Sequence, residues 1–246
     1  MIPALQISNL CKSFGGIAIT RDLSLTVQPG ERRLIIGPNG AGKTTLFNQV
    51  AGEIASDSGS VKVFGEEVSR LPVRARAHLG VSRTYQVITL FPKDTLVHNV
   101  TLSILGVSRT RFGVYRPLLP QGDLHEQALR VLDSVGLRDR ALTPAGEMSY
   151  GEQRRAEIAV AMAQAPRLLL LDEPLAGLSQ DERVMVRDLI AGIPRETTIV
   201  MIEHDMDVAL AFAERISVLH YGELIVEGDR ETVVAHPRTR EVYLGA

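Results

Sequence analysis

The segment "GPNGAGKTT", Gly37–Thr45, contains the spacing G-x-x-x-x-G-K-T directly after an apolar run and before a helical pattern. Glycines in such a loop let backbone N–H groups surround the β- and γ-phosphates of a nucleotide without clashes from Cβ atoms. Lys43 adds a positive charge for the same oxygens, and the Thr44 hydroxyl is placed to coordinate Mg²⁺. The residues expected to bind a nucleoside triphosphate are Gly37, Pro38, Asn39, Gly40, Ala41, Gly42, Lys43, Thr44 and Thr45.

Two adjacent carboxylates end the most apolar run of the chain. Asp172 and Glu173 close the segment "RLLLLDEP", whose unbroken leucines are typical of a buried strand. In open α/β sheets, ligands bind at the edge where the parallel strands end. Asp172 is therefore a candidate for holding Mg²⁺, and Glu173 for polarising the attacking water as general base. This second carboxylate indicates hydrolysis rather than phosphate binding alone.

The segment "MSYGEQRR", Met148–Arg155, has the pattern of a helix start. Ser149 is a suitable N-cap, and Glu152 lies three residues later, as in a capping box. Gly151 leaves backbone N–H groups uncovered where the helix dipole presents its positive end. Because such a helix start attracts anions, the pattern predicts an anion here, although the phosphate loop lies far away in the sequence.

Alternating and apolar runs indicate a mainly parallel sheet that positions these residues. Residues 4–36 and 58–68 alternate as strands do, the latter as a hairpin, while "RLLLLDEP" and "TTIVMIEH" predict buried strands. Helices are expected at Val184–Ile193 and Met206–Ile216, and a terminal hairpin at Ile216–Gly228. Strands that alternate with helices are typical of a doubly wound α/β fold.

Helical patterns follow the phosphate loop and fill the middle of the chain. Gly42–Gly52 has the pattern of a helix closed by glycine, and Asp123–Leu137 shows the clearest helical period. A single domain over residues 1–246 is therefore expected, interrupted by a helical insertion. Its catalytic core with an antiparallel β subdomain is placed at 1–84 and 166–246, and the insertion at 85–165.

The composition is that of an ordinary globular protein, with 45% hydrophobic and 23% charged residues. A net charge of −2 gives no general attraction to nucleic acid. The single cysteine, Cys11, excludes an intrachain disulfide and a cysteine-based zinc site. The start "MIPALQISNL" lacks the features of a signal peptide, and no apolar run approaches the ~18 residues of a membrane span. We therefore expect a cytoplasmic chain.

Four further segments resemble motifs of the ATPases of ABC transporters. "SYGEQRR" resembles the family's signature sequence, Gln86 in "SRTYQVITLF" its Q-loop glutamine, and His204 in "IEHDM" its switch histidine. Phe14 in "CKSFGG" occupies the position of the aromatic residue that stacks on adenine. The resemblance covers about residues 4–228. It implies the fold of a P-loop NTPase of the ABC type, with a RecA-like parallel-sheet core, an N-terminal antiparallel β subdomain and an inserted α-helical subdomain.

In this family two cassettes face each other head to tail, and each ATP lies between the phosphate loop of one and the signature helix of the other. The resemblance implies that Ser149, Gly151 and Gln153 contact the ATP of a partner subunit. The dimer would be ATP-dependent, either a homodimer or a heterodimer with a paralogous ATPase. His204 would sense the γ-phosphate, and Gln86 would contact Mg²⁺ or the attacking water. The implied catalytic residues are Glu173, His204, Gln86 and Lys43, and the implied Mg²⁺ ligands are Thr44, Gln86 and Asp172.

The finer pattern most resembles the ATPases of branched-chain amino-acid importers, with related systems for urea, amides and aromatic acids. It is carried by "FGG" at 14–16, "GVSRTYQ" at 80–86, "IEHDMDVA" at 202–209 and the tail "REVYLGA". The resemblance implies separate transmembrane permeases, a solute-binding protein acting through them, a position on the cytoplasmic face of the plasma membrane, and no nucleic acid. Leu90 and Phe91 lie where the family binds its permease, although they suit the core of the insertion equally well.

Three alternatives use the same core. One is the ATPase of an exporter of lipid or lipopolysaccharide. Another is a non-transport ABC ATPase acting on nucleic acid, which would carry the heptads or zinc modules that this sequence lacks. The third is a nucleotide sensor without turnover, which would need neither Glu173 nor His204.

One residue departs from the family pattern: Ser179 in "LAGLSQDE" replaces the usual aspartate of a loop that makes cross-subunit contacts.

Overall fold

The computed structural model describes residues 1–108, 121–204 and 212–244, and within them the chain forms two units. Unit 1 comprises Met1–Arg83, Arg167–Glu173 and Ile193–Ala246. Unit 2 comprises Thr84–Pro166 and Pro174–Gly192. Each unit is built around its own cluster of buried apolar side chains.

The amino-terminal part of unit 1 forms a four-stranded antiparallel sheet. Side chains alternate along its strands, so that Leu5 and Ile7 are buried whereas Gln6 and Ser8 are half-buried. The hairpin expected at 58–68 is confirmed as its last two strands. In spatial order, with numbers assigned along the chain, the strands are β2 (Ile17–Val27), β1 (Leu5–Phe14), β4 (Ser58–Val63) and β5 (Glu66–Glu67).

The larger sheet of unit 1 has six strands, in the spatial order β10 (Glu223–Gly228), β9 (Arg215–His220), β3 (Arg32–Ile36), β8 (Thr198–Ile202), β7 (Leu168–Asp172) and β6 (Val81–Arg83). All neighbouring pairs are parallel except β10 with β9. Every residue of β3, β7 and β8 is buried, as is typical of parallel strands covered on both faces. The predicted parallel sheet and terminal hairpin are confirmed.

The helix after the phosphate loop, α1 (Lys43–Ala51), ends at Gly52 with φ +86°, which confirms the predicted glycine closure. Its terminal carbonyls are satisfied by Arg76, whose Nη1 donates to Gln49 O at 2.7 Å and to Val50 O at 2.8 Å. Three short helices of unit 1 were not predicted, because six to eight residues hold too little of a helical period. They are α2 (Val73–His78), α7 (Arg230–Ala235) and α8 (Pro237–Leu244).

Unit 2 is helical, as the middle of the sequence predicts. Its helices are α3 (Leu96–Val107), α4 (Gln121–Ser134), α5 (Tyr150–Met162) and α6 (Gln180–Ala191). Leu96, Val100 and Leu132 are among the side chains of its buried cluster. The structure groups α6 with these helices, whereas the sequence interpretation placed it with the catalytic core.

Two further expectations concern single helices. The helix predicted at Val184–Ile193 is confirmed as α6, which begins four residues earlier, at Gln180. Most of the helix predicted at Met206–Ile216 lies outside the described residues. Among the residues that the structure describes, no helix combines the length and apolarity needed to cross a membrane.

Candidate nucleotide-binding and hydrolysis site

The phosphate loop joins β3 to α1 in unit 1, and two of its glycines are required by close backbone contacts. Gly37 has φ +157° and Gly42 has φ +96°. A Cβ on Gly37 would overlap the carbonyl oxygen of Leu219, and one on Gly42 would lie 2.6 Å from that of Ile19. Because β9 and β2 approach so closely, only glycine fits at both positions, and the loop keeps the exposed backbone that phosphate binding requires.

Lys43 is the first residue of α1, and its side chain is buried. Its Nζ donates hydrogen bonds to Gly37 O at 2.7 Å and to Pro38 O at 3.0 Å. Burial lowers the pKa of the Lys43 ammonium, while the negative charges of Glu173 and Asp172 act in the opposite direction. The ammonium therefore lies within electrostatic reach of both acids and can bind phosphate oxygens as a point charge.

Asp172 ends β7 and is paired with an arginine that the sequence interpretation missed. Its Oδ2 accepts a hydrogen bond from Arg83 Nη2 at 2.9 Å, and both side chains are buried. Arg83 Nη1 also lies 2.5 Å from Asn48 Oδ1 and 3.3 Å from Glu53 Oε2. Arg83 therefore links the end of β7 to the end of α1 and compensates the buried charge of Asp172.

The Arg83→Gln variant is expected to lower the free energy of unfolding by about 3 kcal/mol, because it removes the guanidinium that is hydrogen-bonded to the buried Asp172 carboxylate. Denaturant unfolding measures the effect. Arg187→Gln is the matched control, since Arg187 pairs with Asp188 at the surface and its loss is expected to cost at most about 1 kcal/mol. Equal losses in the two variants would contradict the assigned role of Arg83.

Glu173 follows β7 and contacts His204, which follows β8. Glu173 Oε1 lies 2.7 Å from His204 Nε2, and the Glu173 N–H donates to Ile202 O at 3.0 Å. The φ of Glu173 is +48°, a left-handed conformation that is costly for residues other than glycine and recurs at functional sites. A carboxylate held by an imidazole beside a phosphate-binding loop can accept a proton from water.

Phe14 ends β1 in unit 1, and 46% of its surface is exposed. The Lys12 ammonium lies 5.3 Å from the ring centroid, within the range of a cation–π contact. The exposed ring can therefore offer a face for stacking.

Gln86 lies in unit 2, three residues after the end of β6. Its carbonyl accepts a hydrogen bond from Arg154 of α5 at 3.2 Å.

Leu90 and Phe91, the two residues expected either to bind a permease or to fill the core, differ in burial. Leu90 packs against the core of unit 2, whereas Phe91 is 57% exposed.

The predicted capping box at the start of α5 is confirmed. Ser149 Oγ accepts from the Glu152 N–H at 3.2 Å, and the Ser149 N–H donates to Glu152 Oε2 at 2.9 Å. Gln153 Nε2 donates to Met148 O at 3.0 Å. These contacts fix the helix start within unit 2.

A carboxylate already lies at this helix start. The Glu182 carboxylate accepts from the Ser179 N–H at 2.9 Å and from the Ser179 hydroxyl at 2.8 Å, and it also accepts from the Gly151 N–H. These three hydrogen bonds, those of Ser179 most of all, lower the pKa of Glu182. A Cβ on Gly151 would overlap the same carboxylate. Ser179, which stands where the family usually has aspartate, is thus the N-cap of α6.

The structure divides the predicted site residues between the two units. The phosphate loop, Asp172, Glu173, His204 and Phe14 belong to unit 1, whereas Gln86, Ser149, Gly151 and Gln153 belong to unit 2. The sequence did not predict the contacts of Arg83 and Glu182. It also did not predict those of Arg154 and Glu157, two residues of α5 that hydrogen-bond to the main chain of Tyr85 and Gln86. The Ser-x-x-Glu spacing of Ser179 with Glu182 was a local signal for one of them.

A mainly parallel sheet, a phosphate loop at the edge of a central strand and an acid held by a histidine define an α/β nucleoside triphosphatase of the phosphate-loop class. Comparison with known proteins gives the family, since the profile described as "ABC transporter" matches residues 20–176. The chain belongs to the ABC transporter family and is one of its ATPases, which confirms the resemblance of the motifs.

Curated relatives match over almost the full length. The high-affinity branched-chain amino acid transport ATP-binding protein BraF of Pseudomonas aeruginosa is 36% identical over 250 residues, covering 99% of this chain and 98% of that protein. The high-affinity branched-chain amino acid transport ATP-binding protein LivG of Escherichia coli is 34% identical over 252 residues, with coverage of 99% and 98%.

Solved structures match as well. A nucleotide-free ATP-binding cassette from an ABC transporter is similar with a TM-score of 0.87 and 27% identity, covering 99% of this chain and 100% of that one. A dimeric ATP-binding cassette in a post-hydrolysis state, bound to ADP and Pi, is similar with a TM-score of 0.80 and 26% identity. The match covers 92% of this chain and 98% of that one. The predicted ABC ATPase fold is therefore confirmed.

Proposed function

We propose that this chain is the ATP-hydrolysing subunit that powers an importer of branched-chain amino acids or related small solutes through separate membrane permeases. The observation that carries hydrolysis is the contact of 2.7 Å between Glu173 Oε1 and His204 Nε2, in the unit that holds the phosphate loop. The solute class is supported by the names of BraF and LivG, which match nearly the whole chain.

In this proposal, residues 37–45 bind the phosphates through backbone N–H groups and the Lys43 ammonium, and Phe14 stacks on adenine. Glu173 accepts a proton from the attacking water, and His204 holds Glu173 in place and senses the γ-phosphate. Gln86 contacts the metal or the water. Each residue thus acts on the terminal phosphate or on its nucleophile.

The donor set suits Mg²⁺, which prefers oxygen ligands and keeps several waters and phosphate oxygens rather than a cage of side chains. Thr44 is exposed in the first turn of α1, and Asp172 lies at the end of β7. Among the described residues there is no cluster of three or more acidic, histidine or cysteine side chains that could hold a metal without a nucleotide. Thr44, Asp172 and Gln86 would hold Mg²⁺, which when bound neutralises charge on the phosphates.

The start of α5 is proposed to close over the ATP of a partner subunit, through Ser149, Gly151 and Gln153. Support comes from Glu182, because its carboxylate takes a hydrogen bond from the Gly151 N–H and has a lowered pKa. An N–H group that binds one anion suits another. The γ-phosphate of the partner's ATP would replace Glu182 at Gly151.

Ser149→Arg is expected to leave ATP binding by the monomer unchanged and to block hydrolysis, because the added side chain would fill the place of the partner's phosphate. Fluorescent-nucleotide titration measures the binding, and phosphate release measures the turnover. Ser134→Arg is the control, since Ser134 is an exposed serine at the end of α4 and is expected to leave both values unchanged. Loss of monomer binding in Ser149→Arg would contradict this division between subunits.

The partners would be a second ATPase subunit, transmembrane permeases and, indirectly, a solute-binding protein, and the chain would lie on the cytoplasmic face of the plasma membrane. The test is uptake of radiolabelled leucine by a strain from which the gene has been deleted. Wild-type protein is expected to restore uptake and Glu173→Gln is expected not to. Normal uptake in the deletion strain would contradict the amino-acid assignment, and the solute would then be sought among urea, amides and aromatic acids.

A further inference from the structure

Arg83 ends β6, and its side chain is almost fully buried within unit 1. The exposed fractions of Arg83 and of its partner Asp172 are 6% and 1%. A buried ion pair adds little to stability compared with apolar residues of similar volume, although the loss of one partner is costly. The further contacts of the guanidinium therefore indicate what the arginine does at this position.

These further contacts are with the helix that follows the phosphate loop. Arg83 Nη1 lies 2.5 Å from Asn48 Oδ1, and the guanidinium carbon lies 5.8 Å from the centroid of the Phe47 ring. Glu53, whose Oε2 is 3.3 Å from Nη1, follows the end of the same helix. Because Nη2 binds Asp172 while Nη1 binds Asn48, the planar guanidinium holds α1 and the end of β7 at a fixed separation.

The face of α1 that Arg83 contacts also carries Thr44. Asn48 comes four positions after Thr44, so the two residues share one face of the helix and are about 6 Å apart along its axis. Thr44 and Asp172 are two of the residues proposed to hold Mg²⁺, and they belong to different elements of unit 1. Arg83 thus binds both of the elements that carry these two ligands.

The hydrogen bond from Arg83 also sets the orientation of the Asp172 carboxylate. The terminal torsion of an aspartate side chain is soft, so the carboxylate turns readily unless one oxygen is held. Arg83 Nη2 holds Oδ2 at 2.9 Å, which fixes the direction of Oδ1. The Asp172 charge raises the pKa of Lys43, so this carboxylate lies within electrostatic reach of the phosphate loop.

We propose that Arg83 is a positioning residue for the divalent cation that accompanies the nucleotide. It fixes the Asp172 carboxylate and the separation between β7 and α1, and therefore the arrangement of Asp172 and Thr44. Mg²⁺ requires near-ideal octahedral geometry, so a small displacement of either ligand weakens its binding. This inference rests on the proposed function, in which Thr44 and Asp172 hold Mg²⁺ beside the phosphates of ATP.

The experiment measures the affinity of Mn²⁺ for the ADP complex of the full chain, from the EPR signal of the free ion. Mn²⁺ suits the same oxygen ligands as Mg²⁺. The protein is kept in excess over ADP, so that free nucleotide does not bind the ion. Arg83→Gln is expected to weaken Mn²⁺ binding by about 10- to 100-fold, as is typical when the partner of a metal ligand is removed. Binding of ADP in the presence of EDTA is expected to be unchanged.

Arg33→Gln is the matched control, because Arg33 is a second buried arginine of unit 1. Its side chain is 1% exposed and is paired with Glu31 and Glu227. This variant is also expected to lose stability, but it is expected to bind Mn²⁺ with the affinity of wild type. A purely structural role of Arg83 would not separate the two variants in Mn²⁺ affinity.

If Arg83→Gln fails to fold, Asn48→Ala takes its place, because it removes one contact of the guanidinium and keeps the ion pair with Asp172. Weaker Mn²⁺ binding with unchanged ADP binding is expected there as well.

Wild-type Mn²⁺ affinity in the variant that folds would overturn the inference, and so would equal weakening in Arg33→Gln. Failure of the proposed function is distinguishable, since wild-type protein would then bind no ADP. Normal ADP binding together with an unchanged Mn²⁺ affinity in Arg83→Gln would overturn this inference alone.

Discussion

Glu173→Gln is expected to lower ATP turnover by about 10²–10⁴-fold and to leave ATP binding intact. The amide cannot accept the proton of the attacking water, whereas the Glu173 carboxylate can, and its Oε1 is held 2.7 Å from His204 Nε2. Because the γ-phosphate then persists, gel filtration is expected to show a dimer that forms only with ATP. Phosphate release under saturating Mg-ATP measures the turnover.

Glu196→Gln is the matched control, because Glu196 is an exposed glutamate of the same unit outside the site. It is expected to hydrolyse ATP at the wild-type rate. Turnover in Glu173→Gln within a few-fold of wild type would remove the general-base assignment, and a monomer at every ATP concentration would count against the composite site.

Lys43→Ala is expected to weaken ATP binding by about 10²-fold or more, which in practice abolishes it. Each charge-assisted hydrogen bond contributes about 1.5–3 kcal/mol, and the ammonium can make two of them to phosphate oxygens. The variant also removes the bonds from Nζ to Gly37 O and Pro38 O, so the loop loses its internal support. Isothermal titration with Mg-ATP measures the change.

Lys62→Ala, on β4, tests whether the effect is specific to the loop. It removes the same side-chain charge away from the site and is expected to bind ATP as wild type does. Unchanged affinity in Lys43→Ala would contradict the assignment of the phosphate loop. Equal weakening in both lysine variants would show that net charge rather than the loop governs binding.

Much of the fold was predictable because its signals are local. Strands β3 and β7 are unbroken apolar runs, and all their residues are buried. Glycine closure of α1 and the capping box of α5 follow from residues three to ten positions apart in the chain. The short elements β6, α2, α7 and α8 were missed, because helices of six to eight residues span only about two turns and a strand of three residues shows too little alternation.

The pairing of Arg83 with Asp172 could not be predicted, since it depends on β6 lying beside β7 in parallel register. The contacts of Arg154 and Glu157 with Tyr85 and Gln86 likewise join segments that are far apart in the sequence. A lone arginine or glutamate in a sequence carries no record of its distant partner. Burial determines how much such a contact matters for stability, because the loss of a charge's partner lowers the free energy of unfolding strongly only where water is excluded.

The sequence by itself indicated three chemical features, each carried by residues close together in the chain. They are the phosphate loop, the adjacent acids Asp172 and Glu173, and the helix start at which Gly151 leaves backbone N–H groups uncovered by a side chain. Only the tertiary structure determined which of these groups contact one another. It brings His204 to Glu173, Arg83 to Asp172 and Glu182 to the backbone of Gly151, because strand order and helix packing bring distant segments into hydrogen-bonding range. Spacing along the chain indicates which chemistry a residue can perform, whereas the tertiary structure determines which groups that residue contacts.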